Sequence, residues 1–465
     1  MIDFAKFIPK SAFELGKLFE ESGYELSMVG GSVRDIFLQK KSSDYDFATD
    51  AKPNEILQIV EKFADSVWTI GKKYGTIGIE KAGKKFEITT FRSDSYSDDS
   101  RKPEVKFGDN LEDDLKRRDF TINAIALRIP SLELVDPFHG LDDLLAKLLK
   151  TPIDPEVSFS DDPLRIMRLF RFMAQLDFAT DKNAALWAKR MKSRLGIVSK
   201  ERIQAEFSKL LMAENPVPAL DFMTQLGVMD MVIPEFPKLK LSPDERGRHK
   251  DNYWHSLKVL QNGIAFAKQR GFESNLTIRI ACLLHDIGKI KTRKFEKNGK
   301  VTFYGHDIVG SKIAKNRLKE LKFDNKTVQD VSKLIKLHMR FYGYAGGVWT
   351  DSAARRYAHD AGDLLDLLHI LSRADCTTGQ DELRKKLRDA YDDLEKRIQK
   401  LKEEEEIRKI KPSLDGDEIM EILNLPPGEK VGCAREFMLE YRLENGEVDK
   451  ATAKDVLLNW YKENK

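Results

Sequence analysis

A four-residue apolar run, Leu26-Ser27-Met28-Val29, stops at a glycine pair, and Gly31-Ser32-Val33-Arg34-Asp35 then reads as the start of a helix. Strand, glycine turn and helix in that order leave backbone N–H groups and a helix N-terminus free to hold phosphate. Asp44-Tyr45-Asp46 follows at once. Side chains alternate along a strand, so this spacing puts both carboxylates on one face. Two carboxylates beside a phosphate cradle suit two divalent cations, the usual apparatus of phosphoryl or nucleotidyl transfer. The chain has neither a G-x-G-x-x-G stretch nor a G-x-x-x-x-G-K-[ST] stretch in this region, so the motif signals neither a dinucleotide fold nor a P-loop.

At 465 residues the chain exceeds one ordinary core. Charged residues make up 33% and hydrophobic residues 41%, which fits a helix-rich globular protein. The formal net charge of +3 neither requires nor excludes a nucleic-acid partner. Cys282, Cys376 and Cys433 have no paired spacing and read as thiols of a reducing compartment. No apolar run reaches membrane length and the first twenty residues carry frequent charges, so the expected location is the cytoplasm, away from membranes.

Strands are expected over 26–29, 44–48, 76–80 and 86–91, with a polar, mobile loop over 93–106. From Leu141 onward the pattern is helical, punctuated by prolines. Residues 383–409 read as one long amphipathic helix. The expected organisation is a head over 1–140, a helical neck and body over 141–244, a histidine-bearing region over 245–382 and a helical tail over 383–465. The fold class is α+β, with a small mixed sheet in the head and helices beyond it.

Two further clusters carry charge. In Arg117-Arg118-Asp119-Phe120-Thr121-Ile122-Asn123-Ala124, Arg118 offers a fork for phosphate and Asp119 an acceptor for a ribose hydroxyl. In Asp161-Asp162-Pro163-Leu164-Arg165, Pro163 suits a first helical turn, and the i,i+3 spacing places Asp162 and Arg165 on a shared face that Arg168 and Arg171 continue.

The ordered set Gly30-Gly31-x-x-Arg34-Asp35, Asp44-x-Asp46, Arg117-Arg118-Asp119-x-x-x-Asn123-Ala124, Asp136-Pro137-Phe138-x-Gly140, Asp162-x-x-Arg165 and Glu201-Arg202-Ile203-x-x-Glu206 resembles the class II tRNA nucleotidyltransferases, that is, CCA-adding enzymes and the related bacterial poly(A) polymerases. The resemblance covers about 1–210. It implies template-independent addition of nucleotides from CTP and ATP to tRNA 3′ ends. Asp44 and Asp46 would hold Mg²⁺ and be catalytic, and Gly31 and Arg34 would receive the triphosphate. Arg118 and Asp119 would take the sugar, and Arg168 and Arg171 further phosphate contacts. Asp162 and Arg165 would read the base: the exocyclic amino group shared by C and A faces a carboxylate, whereas U and G present a carbonyl there. Glu87 is either a third carboxylate or an exposed strand residue. The family has Glu where this chain has Asp161, which receives no role. The stretch Gly71-Lys72-Lys73-Tyr74-Gly75-Thr76 and the 93–106 loop resemble those of full CCA-adding enzymes more than those of poly(A) polymerases.

His255, His285-Asp286 and Asp375, in that order, resemble the HD-domain phosphohydrolases and imply a divalent metal of unspecified identity. His306 and His338 match the extra histidines of two-metal members. His139 is expected to pack in its turn. The helix expected at Glu429 offers N–H groups to an RNA phosphate or serves as a packed cap. Two alternatives remain at this point: a poly(A) polymerase, and an HD phosphohydrolase whose head only binds RNA or nucleotide.

Overall fold

The computed structural model describes residues 4–40, 44–95, 104–108, 110–240, 251–297, 301–341, 344, 349–377, 381–405 and 411–464. The chain forms two compact units, Met1–Pro234 and Glu235–Lys465.

The first unit is built on a seven-stranded mixed sheet in the order β3-β4-β5-β2-β1-β8-β9. Its strands are β1 (Leu26–Val29), β2 (Asp44–Thr49), β3 (Ser66–Trp68), β4 (Thr76–Lys81), β5 (Lys84–Thr90), β8 (Ala126–Arg128) and β9 (Leu134–Val135). All four expected strands are present, and β3, β8 and β9 add to them. The loop expected over 93–106 needs correction. Its ends form an antiparallel pair, β6 (Arg92–Ser95) with β7 (Glu104–Phe107), while 96–103 lies outside the described residues.

Period-two alternation on β2 and β5 decides where the carboxylates go. Tyr45, Phe47, Phe86 and Ile88 join one core with Leu15 and Phe19 of α1 (Lys10–Glu21) and with Ile56 and Val60 of α3 (Pro53–Val60). The opposite face packs Val29, Ala48 and Phe91 against Leu111 and Leu115 of α4 (Leu111–Lys116). Asp44 and Asp46 continue that second face past its apolar end and stay accessible. The face is covered at one end and open at the other, so the site lies at its edge.

Between β1 and β2 runs α2 (Gly31–Phe37), introduced by Gly30 at φ 68 and ψ −136, a region that only glycine occupies at low cost. Next come α5 (Gly140–Leu145), α6 (Pro155–Asp161), α7 (Leu164–Leu176), α8 (Lys182–Met191), α9 (Lys200–Leu211) and α10 (Val217–Gln225). The helical region has minor relief in a two-residue parallel pair, Leu148–Leu149 with Ala179–Thr180. His139 does not pack. It sits in the left-handed region with its side chain 83% exposed. The turn is held instead by Asp136, whose carboxylate accepts from the N–H groups of Gly140 and Leu141.

The second unit contains α11 (Asn252–Gln269), α12 (Leu276–Leu284), α13 (Lys289–Thr292), α14 (His306–Glu320) and α15 (Asn325–Leu337), then helices Asp351–Ala361 and Leu365–Asp375. Helix Asp381–Glu405 matches the expected amphipathic stretch up to residue 405. Three further helices follow, Gly416–Leu423, Glu429–Asn445 and Lys450–Glu463. They share a core of their own around Ile419, Ala434, Met438 and Leu457. Among the described residues, no helix is long and apolar enough to cross a membrane.

Candidate functional sites

In the first unit a cavity of about 570 Å³ is lined by Gly30, Gly31, Arg34, Asp46, Arg117, Arg118, Asp119, Asp162, Arg165, Arg168, Arg171 and Arg202, with Phe172 and Asn123. All eight residues expected to bind nucleotide meet there, and so does Asp46. Eight guanidinium groups, Arg92 among them, around one carboxylate-floored cavity constitute a site for a polyanion.

Asp46 and Glu87 are direct register partners across the parallel β2–β5 pair, two residues along from Asp44. Three carboxylates therefore share one face, with Glu87 on an exposed position of β5. Asp46 is solvent-accessible but enclosed by the cavity walls. Burial raises its carboxyl above the ordinary value, with Glu87 and Asp44 adding to the rise while Arg118 and Arg34 oppose it. Crowded like charge of this kind is what a divalent cation relieves, so the donor set fits a hard metal ion.

Arg34 is held by its own neighbours: Nε and Nη2 donate to Asp35 at 2.9 and 2.8 Å, and Nη1 donates to Asn123 at 2.8 Å. Arg118 donates to Asp114 at 2.8 Å, and Arg117 pairs with the same carboxylate. Asp114 is only 1% exposed, and although burial pushes its carboxyl up, Arg118 and Arg117 bring it below the usual range. Asp114 is thus a positioning residue for both guanidiniums. Its i,i+3 and i,i+4 spacing was the available signal.

Asp119 lines the cavity and is largely buried. One oxygen accepts from the Phe120 N–H and from Asn123 Nδ2, and the other lies 2.6 Å from Arg168. Burial raises its carboxyl, but Arg168, Asn123 and Arg165 bring it below the ordinary value. Arg171 pairs with buried Glu206 at 2.5 Å. The guanidiniums of Arg34, Arg168 and Arg171 lie 5.3, 5.7 and 3.9 Å from the Phe172 ring centre, so one aromatic ring supports three cations. An aromatic residue within a charged helix gave no warning of this role.

The Asp162–Arg165 reading needs correction. The two residues line one cavity, but they do not form a pair on one helical face. Asp162 ends α6 in extended geometry, accepts from Leu164 N–H at 3.1 Å and faces Arg202 at 3.2 Å. Arg165 points inward: Nη1 donates to the Ser158 carbonyl and hydroxyl, and Nη2 to the Arg117 carbonyl. Pro163 breaks the helix between them, so the i,i+3 rule, which holds within one helix, does not apply.

Gly30 shows how tightly this cavity is built. A Cβ there would lie 2.9 Å from Arg118 Nη1, on a backbone already at positive φ. Gly30→Ala is expected to cost about 1–3 kcal/mol of stability and to displace Arg118. Chemical denaturation and the KM for nucleotide check the two effects separately.

In the second unit, His255, His285, Asp286 and Asp375 converge as expected. His255 Nε2 lies 2.9 Å from Asp375 and 3.4 Å from Asp286, and His285 Nε2 lies 3.3 Å from Asp286 and 3.2 Å from His255 Nε2. Their donor atoms form one metal-competent triad, His255, His285 and Asp286, and a second triad, Asp286, His306 and His338, shares the aspartate. Nδ1 of His285, His306 and His338 each faces the carbonyl three residues back, at 2.9, 2.9 and 2.6 Å. Each of these carbonyls accepts from an Nδ1–H, which leaves Nε2 turned inward on the side where a metal would bind. His306 Nε2 and His338 Nε2 are buried without a hydrogen-bond partner. Buried orphaned acceptors aimed at a shared carboxylate fit a divalent ion. Asp286 and Asp375 are fully buried, yet the neighbouring imidazoles, joined for Asp286 by Lys289, hold both well below the carboxylate range. Gly288 permits the approach of α14, since a Cβ there would lie 2.0 Å from the His306 carbonyl oxygen.

Three stretches match known families in the same order. Residues 26–150 match the poly A polymerase head domain, 177–239 the probable RNA and SrmB-binding site of polymerase A, and 252–379 the HD domain. The chain thus carries, in order, stretches similar to the head and RNA-binding regions of polymerase A and to the HD domain. Several relatives of the chain are named CCA-adding enzymes. That of Lactobacillus johnsonii is 37% identical over 260 residues, covering 54% of this chain and 63% of the relative. That of Bacillus velezensis is 40% identical over 210 residues, covering 45% and 52% respectively. The chain thus spans between half and two thirds of the length of these relatives. The fold is that of the Bacillus stearothermophilus CCA-adding enzyme in complex with CTP, with TM-score 0.62 at 20% identity over 98% of this chain and 99% of that one. It is also that of the Thermotoga maritima CCA-adding enzyme complexed with tRNA, with TM-score 0.59 at 19% identity over 96% and 94%. Family and HD domain together imply dependence on divalent metal.

Proposed function

We propose that this protein is a cytoplasmic CCA-adding enzyme that builds the 3′ end of tRNA from CTP and ATP, with an HD-domain phosphohydrolase activity in the second unit. The observation that carries the first activity is the acidic face of β2 and β5 opening into the arginine-lined cavity. Asp44 and Asp46, with Glu87 beside them, would hold Mg²⁺. Bound there, the ions lower the barrier to ionising the RNA 3′ hydroxyl and neutralise charge on the departing pyrophosphate.

The chain's own residues supply the rest. The 3′ oxygen attacks the α-phosphorus, the α–β bridging P–O bond breaks, and the hydroxyl proton passes to solvent. Arg34 and Arg118 are oriented by Asp35, Asn123 and Asp114 before nucleotide arrives, so they contribute charge with little reorganisation. Phe172 and Glu206 hold Arg171 for the same purpose.

Base selection falls to Asp162 with Arg165 behind it. Arg202 is half-exposed, and its contact with Asp162 is weak enough for an incoming amino group to replace. Arg165 is fixed by Ser158 and Arg117, so it presents one orientation to the base edge. Asp162→Ala is expected to lower CTP and ATP incorporation by about 10²-fold and to raise the share of UTP misincorporated, since a repulsive as well as an attractive element is lost. Sequencing RNA 3′ ends after incubation with all four nucleotides reads both. The same experiment tests the proposal itself. Products ending in CCA support it, whereas growth into an A-run would assign poly(A) polymerase activity instead.

For the second unit, the supporting observation is the pair of triads sharing Asp286. His255, His285 and Asp286, and Asp286 with His306 and His338, would hold a divalent ion, which would activate a water for attack near neutral pH. In phosphomonoester hydrolysis the water oxygen bonds phosphorus, the ester P–O bond breaks, and the departing oxygen takes a proton. Lys289, 2.6 Å from Asp286 and lining the cavity, is placed to neutralise the departing charge.

A further inference from the structure

One row of residues runs straight across the sheet of the first unit. Asp46 of β2 is the register partner of Glu87 of β5, Glu87 that of Gly78 of β4, and Gly78 that of Trp68 of β3. Register partners point to the same face of a sheet. Trp68 therefore stands on the face that carries the three carboxylates. The apolar core lies on the other face, where Ile77, Ile79 and Phe86 are packed.

Gly78 is what lets the indole lie close. A Cβ there would be 2.0 Å from Trp68 Nε1 and 2.1 Å from Cε2, so the ring system fills the space of the missing side chain. The indole thus covers the strand next to Glu87, and neighbouring strands are about 4.8 Å apart. Trp68 is only half-buried, and Glu87 is exposed. The adjacent row joins this shelf to the arginine-lined cavity: Thr76 and Thr89 are hydrogen-bonded through their hydroxyls at 3.0 Å, and Thr89 lines the cavity. Trp68 itself is not part of the cavity wall.

Sheet order gives the two sides of the acidic cluster different surroundings. Gly31 and Arg34, which would receive the triphosphate, follow β1 on one side of β2, whereas β5, β4 and β3 lie on the other. In an in-line displacement clamped by two metal ions, the attacking oxygen enters opposite the leaving group. With pyrophosphate leaving on the β1 side, the attacking oxygen comes in over β5 and β4, where the indole lies.

We propose that Trp68 binds the RNA acceptor: the unpaired base at the RNA 3′ end stacks on the indole, which sets the terminal 3′ hydroxyl beside Glu87 and Asp46. The inference rests on the nucleotidyl-transfer reading of the first unit and gives its second substrate a place. Stacking on an aromatic ring accepts any base. A platform for a strand whose last nucleotide changes with every addition needs that tolerance.

The test uses the full-length protein with Mg²⁺, CTP and tRNA lacking its terminal CCA, the RNA being made with and without the base of its last nucleotide. Trp68→Val keeps a strand-forming residue, and Trp68→Phe keeps an aromatic face; both are first compared with the parent by thermal melting. Trp68→Val is expected to raise the KM for RNA about 10- to 100-fold while the KM for CTP stays within about twofold, and Trp68→Phe to recover most of the loss. Deleting the terminal base should cost the parent as much as Trp68→Val does and should cost Trp68→Val little more, because both deletions break one contact. Additive losses, or an unchanged KM for RNA in Trp68→Val, would overturn the platform and leave the nucleotidyl-transfer reading in place. A parent that incorporates no CTP into the intact RNA would overturn that reading and the platform with it. If Trp68→Val melts early, tryptophan fluorescence of the parent decides. Stronger quenching by the base-bearing RNA than by the base-deleted RNA, diminished in Trp68→Phe, supports the platform, and equal quenching overturns it.

Discussion

Asp46→Asn is expected to lower nucleotide addition by at least about 10³-fold while leaving the protein folded. The substitution removes one charge and almost no volume, so packing of the β2 face is retained. What disappears is a hard anionic ligand at the floor of the cavity. A metal ion stabilises transition-state charge by several kcal/mol, and each 1.4 kcal/mol is roughly tenfold in rate. Single-turnover incorporation of CTP into tRNA lacking its terminal CCA measures the loss. A residual rate within tenfold of the parent would sink the assignment of Asp46 as a metal ligand.

The same variant has a stability signature of opposite sign. The carboxyl of Asp46 is raised in the folded protein by burial and by Glu87 and Asp44. In the metal-free protein the folded state therefore binds this proton more tightly than the unfolded chain does. Stability contributed by the protonated form is present at acid pH and is lost as pH rises through the folded-state value. Above that window the ionised group destabilises the fold, and Asp46→Asn removes the effect. Metal-free Asp46→Asn is thus expected to melt above the parent at pH 7, and Mg²⁺ is expected to stabilise the parent but not the variant. On the proposed assignment the site holds negative charge together at a cost in stability for the sake of catalysis, the usual exchange at an active centre.

How much of this was readable in advance follows from which interactions are local. The alternation in Asp44-Tyr45-Asp46-Phe47 fixes which side chains go inward, and strand period alone places both carboxylates together. Glu87 was ambiguous because its role depends on the parallel register of β5 with β2, a pairing that no local pattern encodes. The ends of 93–106 looked like loop because Ser and Asp are poor strand formers, yet backbone pairing of β6 with β7 does not require side-chain burial. Asp162 and Arg165 were misjudged as a pair because Pro163 splits two helices there, so spacing along the chain ceased to measure spacing on a face. Asp114 and Phe172 escaped notice for another reason. Both act on arginines rather than on substrate, and supporting residues carry no chemical signature of their own. The histidines were legible as a set because few reasons other than a metal gather imidazoles and carboxylates in one buried place.

Asp286→Asn is expected to abolish hydrolysis at the HD site, by about 10³-fold or more, while nucleotide addition stays within twofold of the parent. Asp286 belongs to both candidate triads, so one substitution weakens two ion sites together. The amide keeps the volume and can still accept from Lys289, so the link from Asp286 to α13 is preserved. The surrounding imidazoles then face a neutral group, and the charge balance that favours a divalent cation is lost. Metal content after dialysis, measured by atomic emission, should fall in parallel with hydrolysis. His338→Ala separates the two ions, because His338 belongs to the second triad alone. If a single ion suffices, hydrolysis persists in His338→Ala with the metal content of one site. If both are needed, it is lost along with half of the bound metal. Loss of CTP incorporation in Asp286→Asn, with melting unchanged, would show that the two chemistries share a centre and that their assignment to separate units is wrong.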